Sequence, residues 1–147
     1  MKKGKVLFVD DELQAEQDEP HGDYMWYYVR ALQDADFEVT PAIGPDEALH
    51  KLSTKEAQFD LVIIDIMMPP GKTFEKEDTF EGLRTGIFLA RIFQERYSEL
   101  PILVLTNVLN PQALNETQEI VNVKEVLTKP NCTPFHLAEE VKHILEQ

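Results

Sequence analysis

Three short apolar runs, spread along the chain, limit what this sequence can fold into. They are Val6 to Val9, Leu61 to Ile64, and Ile102 to Leu105. β-Branched residues are frequent in these runs and no polar residue interrupts them, which is typical of strands buried on both faces. Such strands occur in parallel sheets that helices cover on both sides, so the runs predict an α/β fold.

Weaker strand patterns and helical patterns lie between and after these runs. Strands are also predicted at Phe37 to Thr40 and at Glu125 to Thr128. Apolar residues at helical spacing predict helices around Met25 to Leu32 with Asp23 as N-cap, from Pro45 to Ala57, around Leu89 to Tyr97, from Pro111 to Val121, and from the N-cap Thr133 to Leu145. Strand and helix thus alternate five times, which predicts a five-stranded, doubly wound parallel sheet.

Length and charge narrow the class of protein. A chain of 147 residues is the size of one domain, so a single domain over residues 1–147 is predicted. The formal net charge of −13 disfavours direct contact with nucleic acid or anionic membranes. One cysteine allows no internal disulfide, and no apolar segment is long enough for export or membrane insertion. A cytoplasmic protein is therefore expected.

Polar residues follow four of the predicted strands. Asp10 and Asp11 come after the first strand, Asp65 after the third, Thr106 ends the fourth, and Lys129 follows the fifth. The carboxyl ends of parallel strands converge on one edge of a doubly wound sheet, where ligands bind. The sequence therefore predicts three carboxylates, a hydroxyl and an ammonium around one cleft.

Crowded carboxylates need a counter-charge. Two of them about 5 Å apart repel by about 3 kcal/mol at an effective dielectric near 20. An all-oxygen site suits Mg²⁺ better than Zn²⁺, which prefers His and Cys. Beside such an ion, Asp65 can act as a nucleophile toward a phosphoryl group, with Lys129 and Thr106 contacting the phosphoryl oxygens.

Each of these residues also has an ordinary explanation. The Asp10–Asp11 pair suits a turn, Asp65 suits a helix cap, Thr106 suits a strand end, and most lysines, like Lys129, are solvated. A functional site is favoured because four independent ordinary explanations would have to coincide at four strand ends. The acidic tract from Asp10 to Asp23 is interpreted as a solvated loop in preference to a second metal site.

The tripeptide Gly71-Lys72-Thr73 offers a competing interpretation, because it matches the end of a phosphate-binding P-loop. That motif requires a glycine five residues before Gly71, and Ile66 occupies the position. No helical pattern follows Thr73 directly. Nucleotide binding is therefore not predicted, and the tripeptide is interpreted as loop sequence.

Four fragments of the chain together resemble the receiver domain of response regulators, the phosphoacceptor module of two-component signalling. They are KVLFVDDE (Lys5 to Glu12), DLVIIDIMMP (Asp60 to Pro69), PILVLT (Pro101 to Thr106) and VLTKP (Val126 to Pro130). They occur in the family's order and span nearly the whole chain. The resemblance implies a (βα)5 flavodoxin-like receiver fold.

The resemblance also implies a metal site and a phosphoacceptor. It implies that Asp11 and Asp65 bind Mg²⁺ directly, with the backbone carbonyl of Met67 as a further ligand and Asp10 acting through water. Asp65 would be the phosphoacceptor.

It further implies roles at the ends of the fourth and fifth strands. Thr106 would be the switch hydroxyl and Lys129 the phosphate-binding lysine. The bond between Lys129 and Pro130 would be cis, a minority state for most X–Pro bonds.

Partners follow from the same resemblance. A sensor histidine kinase or a phosphotransfer protein would donate the phosphoryl group, as in a phosphorelay. Because the sequence ends at Gln147, just after the fifth helix, a stand-alone receiver is expected. Its output would be contact with a partner that the sequence does not identify, through the last two helices and the fifth strand.

The sequence departs from the family pattern in its connections and at single positions. Insertions are expected near residues 12–23 and 70–85, as a lid or a docking surface beside the cleft, and Gly86 is expected to open the third helix. Val126 stands where receivers commonly have an aromatic switch residue, and Asn107 where they favour a small one. Met67 and Val108, both apolar, cannot orient an attacking water, so a long-lived phosphoryl group is expected.

Two other functions remain open at this point. One is a receiver-like binding module that switches without phosphorylation, for which Val126, Asn107 and the insertions argue. The other is an aspartyl-phosphate hydrolase, which needs an acid two residues after its nucleophile. Met67 occupies that position, so an enzyme is not expected.

Overall fold

A computed structural model describes residues 2–14, 24–54, 58–107 and 110–147 of the chain. In these ranges five strands alternate with five α-helices: β1 (Gly4–Val9), α1 (Tyr24–Asp34), β2 (Phe37–Ala42), α2 (Pro45–Ser53), β3 (Leu61–Ile64), α3 (Thr85–Arg96), β4 (Ile102–Thr106), α4 (Pro111–Gln118), β5 (Val123–Thr128) and α5 (Pro134–Leu145). Short 3₁₀ turns at Asp11–Gln14 and Lys129–Asn131 follow β1 and β5. The predicted alternation of strand and helix is confirmed.

All five strands join one parallel sheet in the order β2-β1-β3-β4-β5. Every residue of β3 and β4 is buried, which explains why neither strand alternates with polar residues. The chain runs from β1 outward to β2 and then returns to β3 on the other side of β1. The strand order therefore reverses between β1 and β3, and a cleft opens there at the carboxyl ends of the strands.

The helices cover both faces of the sheet and divide the core into two layers. Alternate residues of β1 point into different layers, with Leu7 and Val9 in one and Val6 and Phe8 in the other. Helices α1 and α5 pack on the Val6 side, and α2, α3 and α4 pack on the Leu7 side. The doubly wound architecture predicted from the apolar runs is confirmed. No helix in the described ranges is long and apolar enough to cross a membrane.

The helix ends follow local capping chemistry. The Thr133 side chain accepts a hydrogen bond from the His136 N–H at 3.1 Å, as expected for the N-cap of α5. Asn110 caps α4 in the same way. Helix α2 ends at Ser53, short of the predicted Ala57, because Thr54 has an extended backbone. The predicted N-cap Asp23 lies outside the described residues.

The predicted cis bond before Pro130 is wrong. The described residues contain no cis peptide bond. Lys129, Pro130 and Asn131 form a 3₁₀ turn that closes with a hydrogen bond from the Cys132 N–H to the Lys129 carbonyl at 3.3 Å. The trans isomer is also the lower-energy state of an X–Pro bond.

The segment between β3 and α3, residues 65–84, is the β3–α3 connection, and its first half is anchored at two points. The Phe74 side chain is buried, with its ring centroid 5.7 Å from that of Phe88 in α3. The Asp46 carboxylate, in the first turn of α2, accepts hydrogen bonds from the Lys72 and Thr73 N–H groups at 2.9 and 2.8 Å. Lys72 and Thr73, part of the tripeptide that resembles a P-loop, thus bind a carboxylate of the protein itself.

The start of α3 depends on a glycine. Gly86 is the second residue of the helix, and a Cβ built there would lie 2.6 Å from the Ile66 Cα. A side chain at this position would force the backbone of the helix away from the end of β3. The helix begins at Thr85, so the predicted glycine lies in its first turn.

Candidate functional site

The carboxyl edge of the sheet brings together polar side chains from distant parts of the chain. Asp10 follows β1, Asp65 follows β3, Thr106 is the last residue of β4, and Lys129 follows β5. All four are buried, with 6% or less of each residue exposed. Since such residues are rarely buried without partners, their contacts with one another hold the site together.

Asp65 is the centre of these contacts. Its Oδ1 accepts a hydrogen bond from the Thr106 hydroxyl at 2.5 Å and another from the Met67 N–H at 3.1 Å. Its Oδ2 accepts a hydrogen bond from the Lys129 ammonium at 3.0 Å. No helix follows Asp65 directly, so a helix cap does not explain its position.

Lys129 lies between two carboxylates instead of in solvent. Its Nζ is 3.0 Å from Asp65 Oδ2 and 3.0 Å from Asp10 Oδ2. Burial alone would lower the pKa of the ammonium, but the charges of Asp10 and Asp65 outweigh it and raise that pKa above its ordinary value. Lys129 therefore stays charged in the folded protein and neutralises part of the acidic cluster.

The three carboxylates fit a hard cation. Asp10, Asp11 and Asp65 each offer an oxygen atom, and these oxygens lie within 4.8 Å of one another. Apart from its ion pair with Lys129, the buried Asp10 Oδ2 accepts no hydrogen bond within the described residues. An all-oxygen donor set with one under-coordinated buried oxygen is the chemistry that Mg²⁺ or Ca²⁺ prefers.

The pKa values show how unfavourable the cluster is without a cation. Burial, followed by the charge of Asp65, raises the pKa of Asp10 to about 7. The same two causes raise the pKa of Asp11. The single ammonium of Lys129 does not fully compensate three acids, so the folded site favours additional positive charge.

Two further residues reach the site without having been singled out from the sequence. Glu12 belongs to the acidic tract that is predicted to be a solvated loop, yet its Oε2 is buried and lies 3.7 Å from Lys129 Nζ. Burial and, to a smaller degree, the Glu12 carboxylate raise the pKa of the Tyr24 phenol to about 12. The position of Glu12, directly after the Asp10–Asp11 pair, is the one feature of the sequence that points to it.

Tyr28 holds the turn that carries Lys129. Its hydroxyl donates to the Cys132 carbonyl at 2.5 Å and lies 3.4 Å from the Lys129 carbonyl. Tyr28 belongs to α1 and is separated from this turn by most of the chain. No local pattern in the sequence indicates such a contact.

The residues that depart from the family pattern lie around the cleft. The half-buried Met67 follows Asp65 by two residues and contacts it through its backbone N–H, while its side chain lines a groove beside the site. Asn107 is exposed, and Val126 is half-buried and packs against the core layer under α3. Val108 lies outside the described residues.

Comparison with solved structures identifies the fold. A chemotaxis response regulator, CheY4 of Vibrio cholerae, superposes with a TM-score of 0.69 at 28% identity, covering 96% of this chain and 98% of that one. A CheY-like receiver domain protein of Methanospirillum hungatei gives a TM-score of 0.73 at 19% identity, with 97% and 94% covered.

A third structure, the BeF3-activated receiver domain of DrrB, a Thermotoga maritima protein, gives a TM-score of 0.70 at 22% identity and covers all of both chains. No protein-family model and no curated protein sequence matches this chain. The likeness is thus one of three-dimensional structure, and it extends over the whole described chain.

Proposed function

We propose that this chain, whose fold is that of a response-regulator receiver domain, accepts a phosphoryl group on Asp65. The donor is a sensor histidine kinase or a phosphotransfer protein. One observation carries the proposal: the Asp65 carboxylate accepts hydrogen bonds from both the Thr106 hydroxyl and the Lys129 ammonium. An ammonium and a hydroxyl are also suitable donors to the oxygens of a phosphoryl group.

Each side chain then has a defined task. A carboxylate oxygen of Asp65 attacks the phosphorus of the donor, a P–O bond forms, and the bond from phosphorus to the donor's nitrogen breaks. Lys129 and Thr106 turn from the carboxylate to the phosphoryl oxygens, where their positive charge and hydroxyl stabilise the transferred group. Because both are already within 3.0 Å of Asp65, the site is organised before the donor arrives.

The acidic cluster holds Mg²⁺ in this proposal. Asp11 and Asp65 would bind it directly, the Met67 carbonyl would be a further ligand, and Asp10 would act through water. When bound, the ion supplies positive charge that offsets the negative charge of the phosphoryl group. The raised pKa values of Asp10 and Asp11 support this assignment, because a cation relieves the repulsion that causes them.

Signal output is by contact with another protein in the cytoplasm, as in a phosphorelay or a stand-alone receiver. The surface of α4, β5 and α5 is one candidate for that contact. The apolar Met67 side chain next to the acceptor does not orient water, which favours slow hydrolysis of the phosphorylated Asp65.

The proposal is tested by intact-mass measurement after incubation with Mg²⁺ and a small-molecule phosphodonor. We expect one added phosphoryl group in the wild-type protein and none in Asp65→Asn. Asp60→Asn is the matched control, because Asp60 lies just before the amino end of the same strand and accepts a hydrogen bond from the Lys5 N–H. Modification that survives in Asp65→Asn would refute the assignment. A lack of modification with every donor would favour a binding module that switches without phosphorylation.

A further inference from the structure

A groove opens beside the acidic site, between the β3–α3 connection and the start of α4. Its volume is about 480 Å³. Its lining includes Met67, Phe80, Leu83, Arg84, Asn110 and Ala113. Because Met67 follows Asp65 by two residues, the groove lies directly next to the candidate phosphoacceptor. Apart from Met67, none of these residues takes part in the phosphoryl chemistry proposed above.

Two large apolar side chains stand exposed in this groove. Phe80 is 53% exposed and Leu83 is 57% exposed. A single exposed apolar residue is common on protein surfaces, but two in one concave groove, next to Met67, form a patch of the kind that marks a contact site. The second half of the β3–α3 connection thus exposes apolar side chains, whereas the first half buries that of Phe74.

The backbone that presents these side chains is in an unusual conformation. Phe80 and Glu81 have φ angles of 52° and 56°, a region that residues other than glycine rarely adopt. Hydrogen bonds fix the turn: the Arg84 N–H donates to the Thr79 carbonyl, and the Met68 N–H donates to the Gly82 carbonyl, both at 3.0 Å. The exposed Phe80 ring is therefore held by a specific and locally unfavourable turn, which argues against a passive loop.

The walls of the groove are also fixed by side chains. Arg84 forms an ion pair with Glu116 of α4, and its guanidinium lies 5.6 Å from the centroid of the Phe80 ring. These contacts link the β3–α3 connection to α4. They also neutralise Arg84, the only basic residue among the described residues that line the groove.

Acidic residues outnumber basic ones around the groove, where Arg91 lies 3.8 Å from Glu116 and Lys129 pairs with Asp10 and Asp65. Asp78 and Glu81, which flank Phe80 in the sequence, are exposed. The carboxylates of Asp10, Asp11 and Asp65 lie on the Met67 side, and the whole chain carries a net charge of −13. A ligand that fills this groove must combine an apolar side chain with positive charge.

We propose that the groove binds a short amphipathic segment of a partner protein, in which a large apolar residue is flanked by lysine or arginine. The apolar residue packs against Phe80, Leu83 and Met67, and the flanking bases lie near Asp78 and Glu81. A second copy of this chain is a poor occupant, because two chains of charge −13 repel each other. This docking site does not require phosphorylation of Asp65, so it can be tested on the unmodified protein.

The test uses the full chain and a displayed library of random peptides. We expect the selected peptides to carry a net positive charge and a large apolar residue, and to bind the wild-type chain. Leu83→Ser should weaken their binding by about tenfold or more, the effect of losing a central apolar contact. Phe80→Ser is the second variant, and Asp78→Asn with Glu81→Gln should weaken binding and reduce its salt dependence.

Phe135→Ser is the matched control, because Phe135 is a large apolar residue, 72% exposed, on α5 at the opposite face of the sheet. Its binding should equal that of the wild type, and unfolding curves in urea check that every variant is folded. Four results would overturn the proposal: no selected peptides, acidic peptides, equal binding by folded groove variants, or self-association of the chain that Leu83→Ser abolishes.

Discussion

Two carboxylates near the carboxyl edge of the sheet are held in almost the same way. Asp65 accepts a hydrogen bond from the Thr106 hydroxyl, and Asp46 accepts one from the Thr73 hydroxyl, both at 2.5 Å. Each also accepts at least one backbone N–H. Each also lies close to a glycine. A Cβ at Gly71 would clash with the Asp46 side chain, and a Cβ at Gly86 would clash with the backbone of Asp65 and Ile66.

Their surroundings differ, and the difference sets the proposed phosphoacceptor apart from a carboxylate that only anchors a loop. Asp65 is buried beside Asp10 and Asp11 and shares an ammonium with Asp10. Asp46 is exposed and accepts three hydrogen bonds from the loop that it binds. The Thr73 hydroxyl and the two N–H groups lower the pKa of Asp46, so its charge is stabilised. Hydrogen bonds are thus common to both carboxylates, and what distinguishes Asp65 is its crowding with other acids around one ammonium.

The largest expected effect comes from removing the Lys129 ammonium, which contacts Asp65 but not Asp46. Lys129→Gln leaves the buried acids without their counter-charge, so we expect the free energy of unfolding without Mg²⁺ to fall by about 3–5 kcal/mol. Urea unfolding measures this loss, and added Mg²⁺ should restore part of it. Lys72→Gln, beside Asp46, is the control and should change stability little, because Lys72 is exposed. Equal losses in both variants would erase the distinction between the two carboxylates.

A smaller effect is expected from Mg²⁺, and it should depend on pH. Burial and the charge of Asp65 raise the pKa of Asp10 from 3.8 to about 7, so the folded protein without metal binds a proton that the unfolded chain does not. The stability that this proton gives is complete below the unfolded pKa and is lost as the pH rises through about 7. Because Mg²⁺ competes with the proton, it should stabilise the protein more at about pH 8 than at about pH 5.

Thermal unfolding with and without Mg²⁺ measures this difference. At a concentration about 100 times its Kd, the ion should add about 2.7 kcal/mol near pH 8. Asp46→Asn should keep the response, and Asp11→Asn should lose most of it. A response that is the same at both pH values would contradict a site built on Asp10.

The smallest expected effect comes from Asp46→Asn, which weakens the hydrogen bonds to the β3–α3 connection. Because Asp46 is exposed, the loss of unfolding free energy should be less than about 1 kcal/mol. The pKa of Asp46 is lowered, so its contribution is present above the ordinary value of 3.8 and disappears as the pH falls through the lowered pKa.

Hydrogen exchange at the Lys72 and Thr73 amides measures the local change. It should be faster in Asp46→Asn than in the wild type near neutral pH, and the difference should shrink below about pH 4. Phosphoryl incorporation should be unchanged within about twofold, a difference of less than about 0.5 kcal/mol. Unchanged exchange at both amides would show that Asp46 does not anchor this segment.

The two carboxylates also show what the sequence could predict. Asp65 follows an aliphatic run, and the end of a buried strand has a known place in a doubly wound sheet, so its position could be predicted from local pattern. The fold followed from the same runs. The hydrogen bonds between Asp46 and Thr73 could not be predicted in this way, because the carboxylate and the turn lie 27 residues apart and no periodic pattern connects them.

Other contacts and one bond isomer could not be predicted from the sequence for similar reasons. The Tyr28 hydroxyl meets the turn after β5 across 104 residues, and no pattern within α1 indicates it. Glu12 was grouped with a run of acids, although the 3₁₀ turn directs it back toward Lys129. The cis bond before Pro130 was expected from resemblance alone, and the local 3₁₀ turn did not require it.

The position of Lys129 in the chain has a consequence for how the site can form while the protein is being synthesised. This residue lies 64 positions after Asp65, beyond β4. A chain leaving the ribosome thus displays all three acids long before it displays their ammonium. The first four strands cannot assemble the complete site, which closes only when β5 joins the edge of the sheet. The residue after β5 therefore supplies the positive charge that the acids after β1 lack until then.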